Sequence, residues 1–435
     1  MRSMARAGVL GHASTAAVYT RFGPPAYYAW TALPSWTGGT DASREDSREA
    51  LNDRNFVPFE IVAREDVSPN AFVLTLRLAA TTATEPSAAA RRLTQQRIRA
   101  ARQHGLWSVE VKQPQLQIAR DYTPLPEVDG TVAALSSLSS SAGGEDDTDM
   151  RLFVRVVPGG EVSKFLSRRP EGSRIELRGP RRSFDVVARL VGGGKENKQD
   201  GRSEDKKAEA TKMLVLAGGT GVATALQAAD AALRASPTVS VSVLWANRQP
   251  YDGMGLSAAP NTPAAELNPI VRDIRALQAK YGVDRLQVQS FVDAEQTRIS
   301  EAGVRRAMER EKTSASSPWY RFWGRKTAPE TDSNVLPVSG VSQEAEKSCI
   351  YHSGRLLERQ DADPLRSPDD AETACACSRG KNLVLVSGPD GFIEAWAGAK
   401  RWVAGKERQG PLGGILGQMA ARDPQTFSQW QVLKL

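Results

Sequence analysis

Two short apolar runs, KMLVLAGG (212–219) and NLVLVSG (382–388), constrain this chain more than any other feature, because each ends in a glycine turn and passes into a helical pattern. An apolar run without polar alternation has to be buried on both faces, which is the environment of an inner strand in a parallel sheet. Between the two runs lie TALQAADAALRA, VSVLWANR, IVRDIRALQAKYG and LQVQSFVD, in which amphipathic helix and strand patterns alternate. The pattern predicts a doubly wound parallel α/β unit over 212–435, covered by helices on both faces. The stretches 309–346 and 352–380, rich in Pro, Ser and charge, read as surface insertions in it.

The chain upstream has a different texture. FVPFEIVAREDVSPNAFVLTLRL (56–78) alternates apolar and polar residues around an SPN turn, the signature of two half-buried antiparallel strands. An Ala- and Arg-rich helical insertion follows at about 86–104, and WSVEVKQPQLQIARDYTPLP then resumes extended character. RLFVRVV (151–157) is a further strand, and in PGGEVSKFLSRRPEGSRIELRGP a Gly pair opens a short helix that ends before another strand. About six short strands with one helix predict a small antiparallel Greek-key β barrel. The fold class is therefore α+β with two domains: a barrel over 51–190, a polar linker at 191–211, and the doubly wound unit at 212–435. GTVAALSSLSSSAGGEDDTD within the barrel is a low-complexity loop, with little apolar surface to offset its ordering entropy.

Composition narrows the function. With 40% hydrophobic and 25% charged residues the chain reads as globular, and its net charge of +7 is dispersed among acids rather than gathered in a stripe with aromatics. That argues against a nucleic-acid partner. Cys349, Cys375 and Cys377 lack the spacing of a disulfide framework or a zinc site, and His12, His104 and His352 have no neighbouring ligands, so no metal site is expected. Residues 1–40 contain Arg2, Arg6 and Arg21 but no acid, like a mitochondrial presequence, and 1–50 is set apart as that segment. The aromatic stretch 22–40, interrupted by two consecutive prolines and a Gly pair, reads as an interfacial contact rather than a span.

Three turns carry chemistry. In RDYTPLP the Arg120 fork suits a phosphate pair and the Tyr122 ring suits a planar heterocycle, although an ordinary strand end would also place them so. In LAGGTG, Gly218, Gly219 and Gly221 let the backbone approach a ligand, and the helix start offers amides to a pyrophosphate; a tight strand-to-helix turn is the plainer alternative. SGPDGF repeats the form with Ser387, Gly388 and Pro389. Two such turns at the carboxyl ends of parallel strands face one crevice, and together they say much more than either alone.

In this order, the RxYT turn, the GGxxS helix start, the GGTG turn and the late SGPDGF resemble the ferredoxin reductase superfamily, especially cytochrome b5 reductases, over residues 56–435 apart from the insertions. The resemblance implies a barrel that binds FAD and a second domain that binds NADH or NADPH. It implies that Arg120 bonds the FAD pyrophosphate, Tyr122 lies against the flavin and Thr123 approaches its reactive face. Gly160, Glu161, Val162 and Ser163 match the second flavin motif, with backbone amides and the Ser163 hydroxyl on the pyrophosphate. Gly218, Gly219, Thr220 and Gly221 would hold the nicotinamide dinucleotide, with Ser387, Gly388 and Pro389 near the nicotinamide. By its position after the second strand of that unit, Arg248 could meet a 2′-phosphate, which leans the choice slightly to NADPH, a solvated loop arginine being the plainer alternative.

Some positions depart from the family pattern: Ala223 and Thr224 follow the GGTG turn where a Thr-Pro pair is usual, Ser387 stands where Cys is frequent, and Pro126 replaces a flavin-binding Ser or Thr. Within the superfamily, the presequence-like start, the polar insertions and the tail LGGILGQMAARDPQTFSQWQVLKL are similar to fungal mitochondrial flavoproteins that serve cytochrome c maturation. That likeness implies an acceptor that is haem or the cytochrome c apoprotein, at the inner membrane facing the intermembrane space. The alternatives are a reductase of cytochrome b5 or a quinone, and a flavin-binding assembly chaperone whose nicotinamide site has decayed.

Overall fold

β1 (Val57–Ser68) and β2 (Ala71–Leu78) pair antiparallel around Pro69 and Asn70 in the computed structural model of the protein. It describes residues 47–79, 86–128, 149–191, 211–259, 262–263, 266–309, 382–403 and 406–435. β1 keeps the alternation its sequence promises, with Val57, Phe59 and Ile61 turned into the barrel core. β2 is buried almost throughout, because Phe72, Leu74 and Leu76 enter the barrel while Ala71 and Val73 face a second core shared with the parallel unit.

With β3 (Trp107–Gln113), β4 (Ile118–Tyr122), β5 (Met150–Arg155) and β6 (Arg174–Arg182), these strands form a six-stranded antiparallel sheet in the order β4-β3-β6-β1-β2-β5. The sheet curls until the chain just after β4 meets β5: Pro124 bridges Leu152, and Leu125 N–H donates to Arg151 O at 2.8 Å. The RDYTPLP turn therefore lies at the seam that closes the barrel. α1 (Ala88–His104) starts at Ser87, whose side chain accepts from Ala90 N–H, and buries Ala90, Thr94, Ile98 and Ala101 at helical spacing. Thr94 and Arg97 bond the backbone of Leu51, so this Arg-rich insertion is docked on the barrel. α2 (Glu161–Ser167) packs on β3 and β4, and the short α3 (Val186–Val191) follows β6.

The second unit is a five-stranded parallel sheet in the order β13-β10-β7-β8-β9, built from β7 (Lys212–Gly218), β8 (Ser240–Asn247), β9 (Leu286–Val292), β10 (Asn382–Ser387) and β13 (Trp430–Lys434). α4 (Gly221–Ala235) and α5 (Pro269–Tyr281) cover the face toward the barrel. α6 (Glu301–Glu309), α7 (Asp390–Ala397) and α8 (Gly414–Arg422) cover the other. The expected doubly wound sheet is present, and its strand order reverses between β7 and β10. Beyond α7 come a small hairpin, β11 (Arg401–Val403) with β12 (Lys406–Arg408), and the short α9 (Pro424–Ser428). Trp430, at the start of β13, is a core residue packed with Trp396 and Phe427.

The two units meet over one continuous apolar core, in which Leu106, Leu125, Phe153 and Phe184 join Val222, Leu226 and Ala229 of α4. Two arginines of β5 cross the same boundary. Arg151 reaches Asp273 of α5 at 2.7 Å, the pair being 4% and 0% exposed, and Arg155 reaches the fully buried Asp252 at 2.7 Å. Segment 1–46, most of the 191–211 linker, the loop after Val128, and the insertions with Cys349, His352, Cys375 and Cys377 lie outside the described residues. Among the described residues no helix is long and apolar enough to cross a membrane, and no group of His, Cys, Asp and Glu could hold a metal ion.

Candidate functional site

The carboxyl ends of β7 and β10 flank the point where the strand order reverses, the place in an open α/β sheet where a crevice forms. Both glycine turns sit there, backbone against backbone. A Cβ on Gly221 would stand 2.3 Å from Ser387 O, and one on Gly388, whose φ is +152°, would stand 3.0 Å from Gly218 Cα. Gly218 in turn lies under the Phe392 ring, which a Cβ would meet at 2.9 Å. Gly219 differs: it holds φ +53° and a Cβ there would meet nothing within 4 Å. This is the open spot of the crevice. Beneath it the buried Trp245 fixes the turn, donating from Nε1 to Gly219 O at 2.9 Å.

Thr220 caps α4 without a side-chain hydrogen bond, and Pro389 caps α7 in the same manner. Neither helix start is closed by a side chain of its own. Ser387 is buried (5% exposed) beneath the second turn. Arg248 is exposed just past the end of β8, one strand over from Gly218.

On the barrel, Arg120 is exposed on β4 and donates to Ala119 O, leaving the rest of its guanidinium at the surface. Tyr122 is half-buried, and burial pushes its phenol up to about 12, against the pull of the Arg120 charge. It is a neutral donor at any physiological pH. Thr123 accepts a hydrogen bond from Thr224 of α4 at 3.4 Å, which ties the RDYT turn to the helix that begins at Gly221. Pro126 is buried at the seam, so the residue standing for a Ser or Thr is part of the packing.

The start of α2 is sealed by its own residues. Ser163 Oγ donates to Gly160 O at 2.9 Å and accepts from Val157 N–H at 3.1 Å, so the hydroxyl read as a phosphate ligand is holding the turn. Val162 is in the barrel core, and Glu161 is exposed beside Lys164. These residues can offer backbone amides, and Gly159 in front of them has φ +81° with open space around it.

Thus β4 and α4 bring the RDYT turn to the helix of the GGTG turn, α2 packs beside β4, and β10 sets SGPDGF against the GGTG turn. Three residues absent from the sequence reading join them: Trp245 under Gly219, Phe392 over Gly218, and Gln227, a buried amide one turn beyond Thr224. Gln227 and Asp230 are polar interruptions of an otherwise apolar helix sequence, and that was their only signal.

No family model matches the chain. The cytochrome c mitochondrial import factor of Saccharomyces cerevisiae is 37% identical over 75 residues, which are 17% of this chain and 20% of that protein. The chain thus spans about a fifth of the curated relative it matches. Among solved structures, the CS-b5R domains of human Ncb5or in its NAD+ form align with 87% of this chain and 69% of that one, at 13% identity and a TM-score of 0.39. The cytochrome b5 reductase domain of Ulva prolifera nitrate reductase aligns with 56% of this chain and 75% of that one, at 18% identity and a TM-score of 0.32. A ferredoxin reductase in carbazole 1,9a-dioxygenase aligns over 78% and 63%, at 15% identity and 0.34. The chain has an antiparallel barrel ahead of a parallel sheet that reverses between β7 and β10, the two-part architecture its sequence leads one to expect.

Proposed function

We propose that the chain is a flavin-dependent oxidoreductase that takes electrons from NAD(P)H and delivers them to haem or a haem protein, in mitochondrial cytochrome c maturation. The observation that carries the reading is the meeting of the RDYT turn with the helix of the GGTG turn, through Thr123 and Thr224. A two-part redox site needs its halves in contact, and this is where they touch. The residues fit the cofactors: open space in front of the left-handed Gly219 and of Gly159, an exposed Arg120 fork and a neutral phenol at Tyr122.

In this reading Arg120, Tyr122, Thr123 and the amides of 161–163 hold FAD, while the Gly160 amide closes the turn on Val157 O at 2.9 Å. Gly219, Thr220, Gly221, Ser387, Gly388 and Pro389 hold the coenzyme. When bound, FAD supplies conversion of a two-electron donor into single electrons for haem. The chain's own residues do the rest. Arg120 neutralises phosphate charge through a forked pair of bonds, Tyr122 covers the ring system and donates without titrating, and the helix starts present amides to the dinucleotide. The close contact between Gly221 and Ser387 sets the width of the crevice.

The import factor's name and the presequence-like start together favour haem destined for cytochrome c over cytochrome b5 or a quinone. The test is anaerobic: FAD-loaded protein is mixed with NADH or NADPH and its visible flavin absorbance is followed. Bleaching is expected, faster with NADPH, and Arg248→Ala should remove that preference. Protein that holds FAD but is bleached by neither coenzyme would be an assembly factor instead, and colourless protein that takes up no FAD would end the flavoprotein reading.

A further inference from the structure

α4 turns a polar pair toward the barrel. Gln227, 5% exposed, accepts from Trp107 N–H at 2.9 Å through Oε1 and donates to Pro124 O at 3.0 Å through Nε2. Its partners lie 120 and 103 residues away, both in the barrel. Three residues earlier on the helix, Thr224 reaches Thr123.

Apart from Arg234, which donates to Arg102 O at 2.9 Å near the exposed far end of the helix, the surrounding contacts between α4 and the barrel are apolar. They hold the units together but tolerate sliding, because burial is not directional. A buried amide is different: unless both its ends find partners, burying it is unfavourable. Gln227 is satisfied only when Trp107 and Pro124 stand at the distances seen here, and Pro124 is itself fixed by the barrel seam at Leu152. Along the helix Gln227 lies roughly 9 Å from Gly221, so a displacement at one is carried to the other by a rigid rod.

We propose that Gln227 is a positioning residue that sets the separation and tilt of the GGTG turn against the RDYT turn. It clasps two strand segments of the barrel at once, and Thr224 secures the same face one turn nearer the crevice. The role rests on the flavoprotein reading above. Hydride transfer depends steeply on such alignment, and misplacement by about 1 Å can slow a reaction on the order of a hundredfold.

Gln227→Met keeps length and burial and removes both hydrogen bonds. In FAD-loaded protein we expect the limiting rate of flavin reduction at saturating NADPH to fall on the order of tenfold to a hundredfold. The half-saturating coenzyme concentration and the reduction by dithionite should not change, since neither depends on the approach of the two turns. A second readout uses no cofactor: Thr123→Cys with Thr224→Cys, in apoprotein whose Cys349, Cys375 and Cys377 are serine, is oxidised with diamide. Disulfide closure should be several-fold slower when Gln227→Met is added. If Gln227→Met fails to fold, Gln227→Glu, which keeps the acceptor for Trp107 N–H and loses the donor to Pro124, is read in the same two ways. A folded variant with unchanged limiting rate and unchanged cross-linking overturns the proposal. Wild type that keeps flavin yet is not reduced by coenzyme overturns the function proposed above rather than the clasp, on which cross-linking still decides.

Discussion

Replacing Gly221 by Ala is the sharpest test of how the crevice is built. The added methyl would lie 2.3 Å from Ser387 O, 2.6 Å from Ser387 C and 2.9 Å from Gly388 N. All three are backbone atoms, so no side chain can swing aside. Ordinary contact begins near 3.4 Å, so the two turns must part by about 1 Å at the carboxyl ends of β7 and β10. Overpacking of this kind destabilises by about 1–3 kcal/mol. At about 2–4 °C per kcal/mol for a unit of 150–250 residues, the unfolding midpoint should fall by roughly 2–12 °C. Gly219→Ala is the control: its methyl meets open space, and only the positive φ opposes it, at about 1 kcal/mol. Apoprotein followed by circular dichroism on heating measures both. Gly221→Ala melting with wild type, or Gly219→Ala falling further than Gly221→Ala, would refute the packing argument. The pair also separates fold from ligand, because Gly219→Ala should weaken coenzyme binding more than it lowers stability.

Arg120→Ala should raise the dissociation constant for FAD by about 10- to 150-fold, the equivalent of one charge-assisted bond of about 1.5–3 kcal/mol, as read by fluorescence titration of the apoprotein. Asp273→Ala leaves the buried Arg151 guanidinium with only Glu65, 3.9 Å away, and should destabilise by about 3 kcal/mol in urea unfolding, whereas the joint change Arg151→Met with Asp273→Leu should recover most of that loss. Lys434 is 4% exposed and donates to Ala399 O and Pro411 O; burial, and then Arg401 and Lys400, lower its ammonium to about 8. Between pH 8 and 10.5 the unfolded chain keeps a proton that the folded chain releases, so wild-type stability should rise relative to Lys434→Met across that window and run parallel to it below pH 8.

The strands that a sequence reveals are those whose burial is one- or two-faced by simple rule. β1 alternates, β7 and β10 are continuous, and all three are where the periodicity puts them. β13 has no such mark. Its five residues WQVLK become a strand because β10 offers a parallel edge, and pairing at that distance leaves no local trace. The glycine turns were legible for the same reason that they matter: at Gly221 and Gly388 another backbone occupies the space a side chain would need. Ser163 shows the limit of a motif, since a hydroxyl in the right place for a ligand is equally able to close its own turn. Gln227, Arg151 and Asp273 could not be placed in advance, because a polar residue on a helix or strand reads as solvated until the surface that buries it is known.

The boundary arginines also set a timetable for synthesis. Arg151 leaves the ribosome 122 residues before Asp273, an interval of about 6–24 s at 5–20 residues per second. Within it, from the completion of Phe184 until α4 and the sheet behind it are made, the nascent barrel shows Leu106, Leu125, Phe153 and Phe184 to water. The first half of the chain is thus made as a sticky intermediate whose completion is dictated by translation rate, and synonymous changes that slow elongation between codons 191 and 273 lengthen its exposure without altering a single residue.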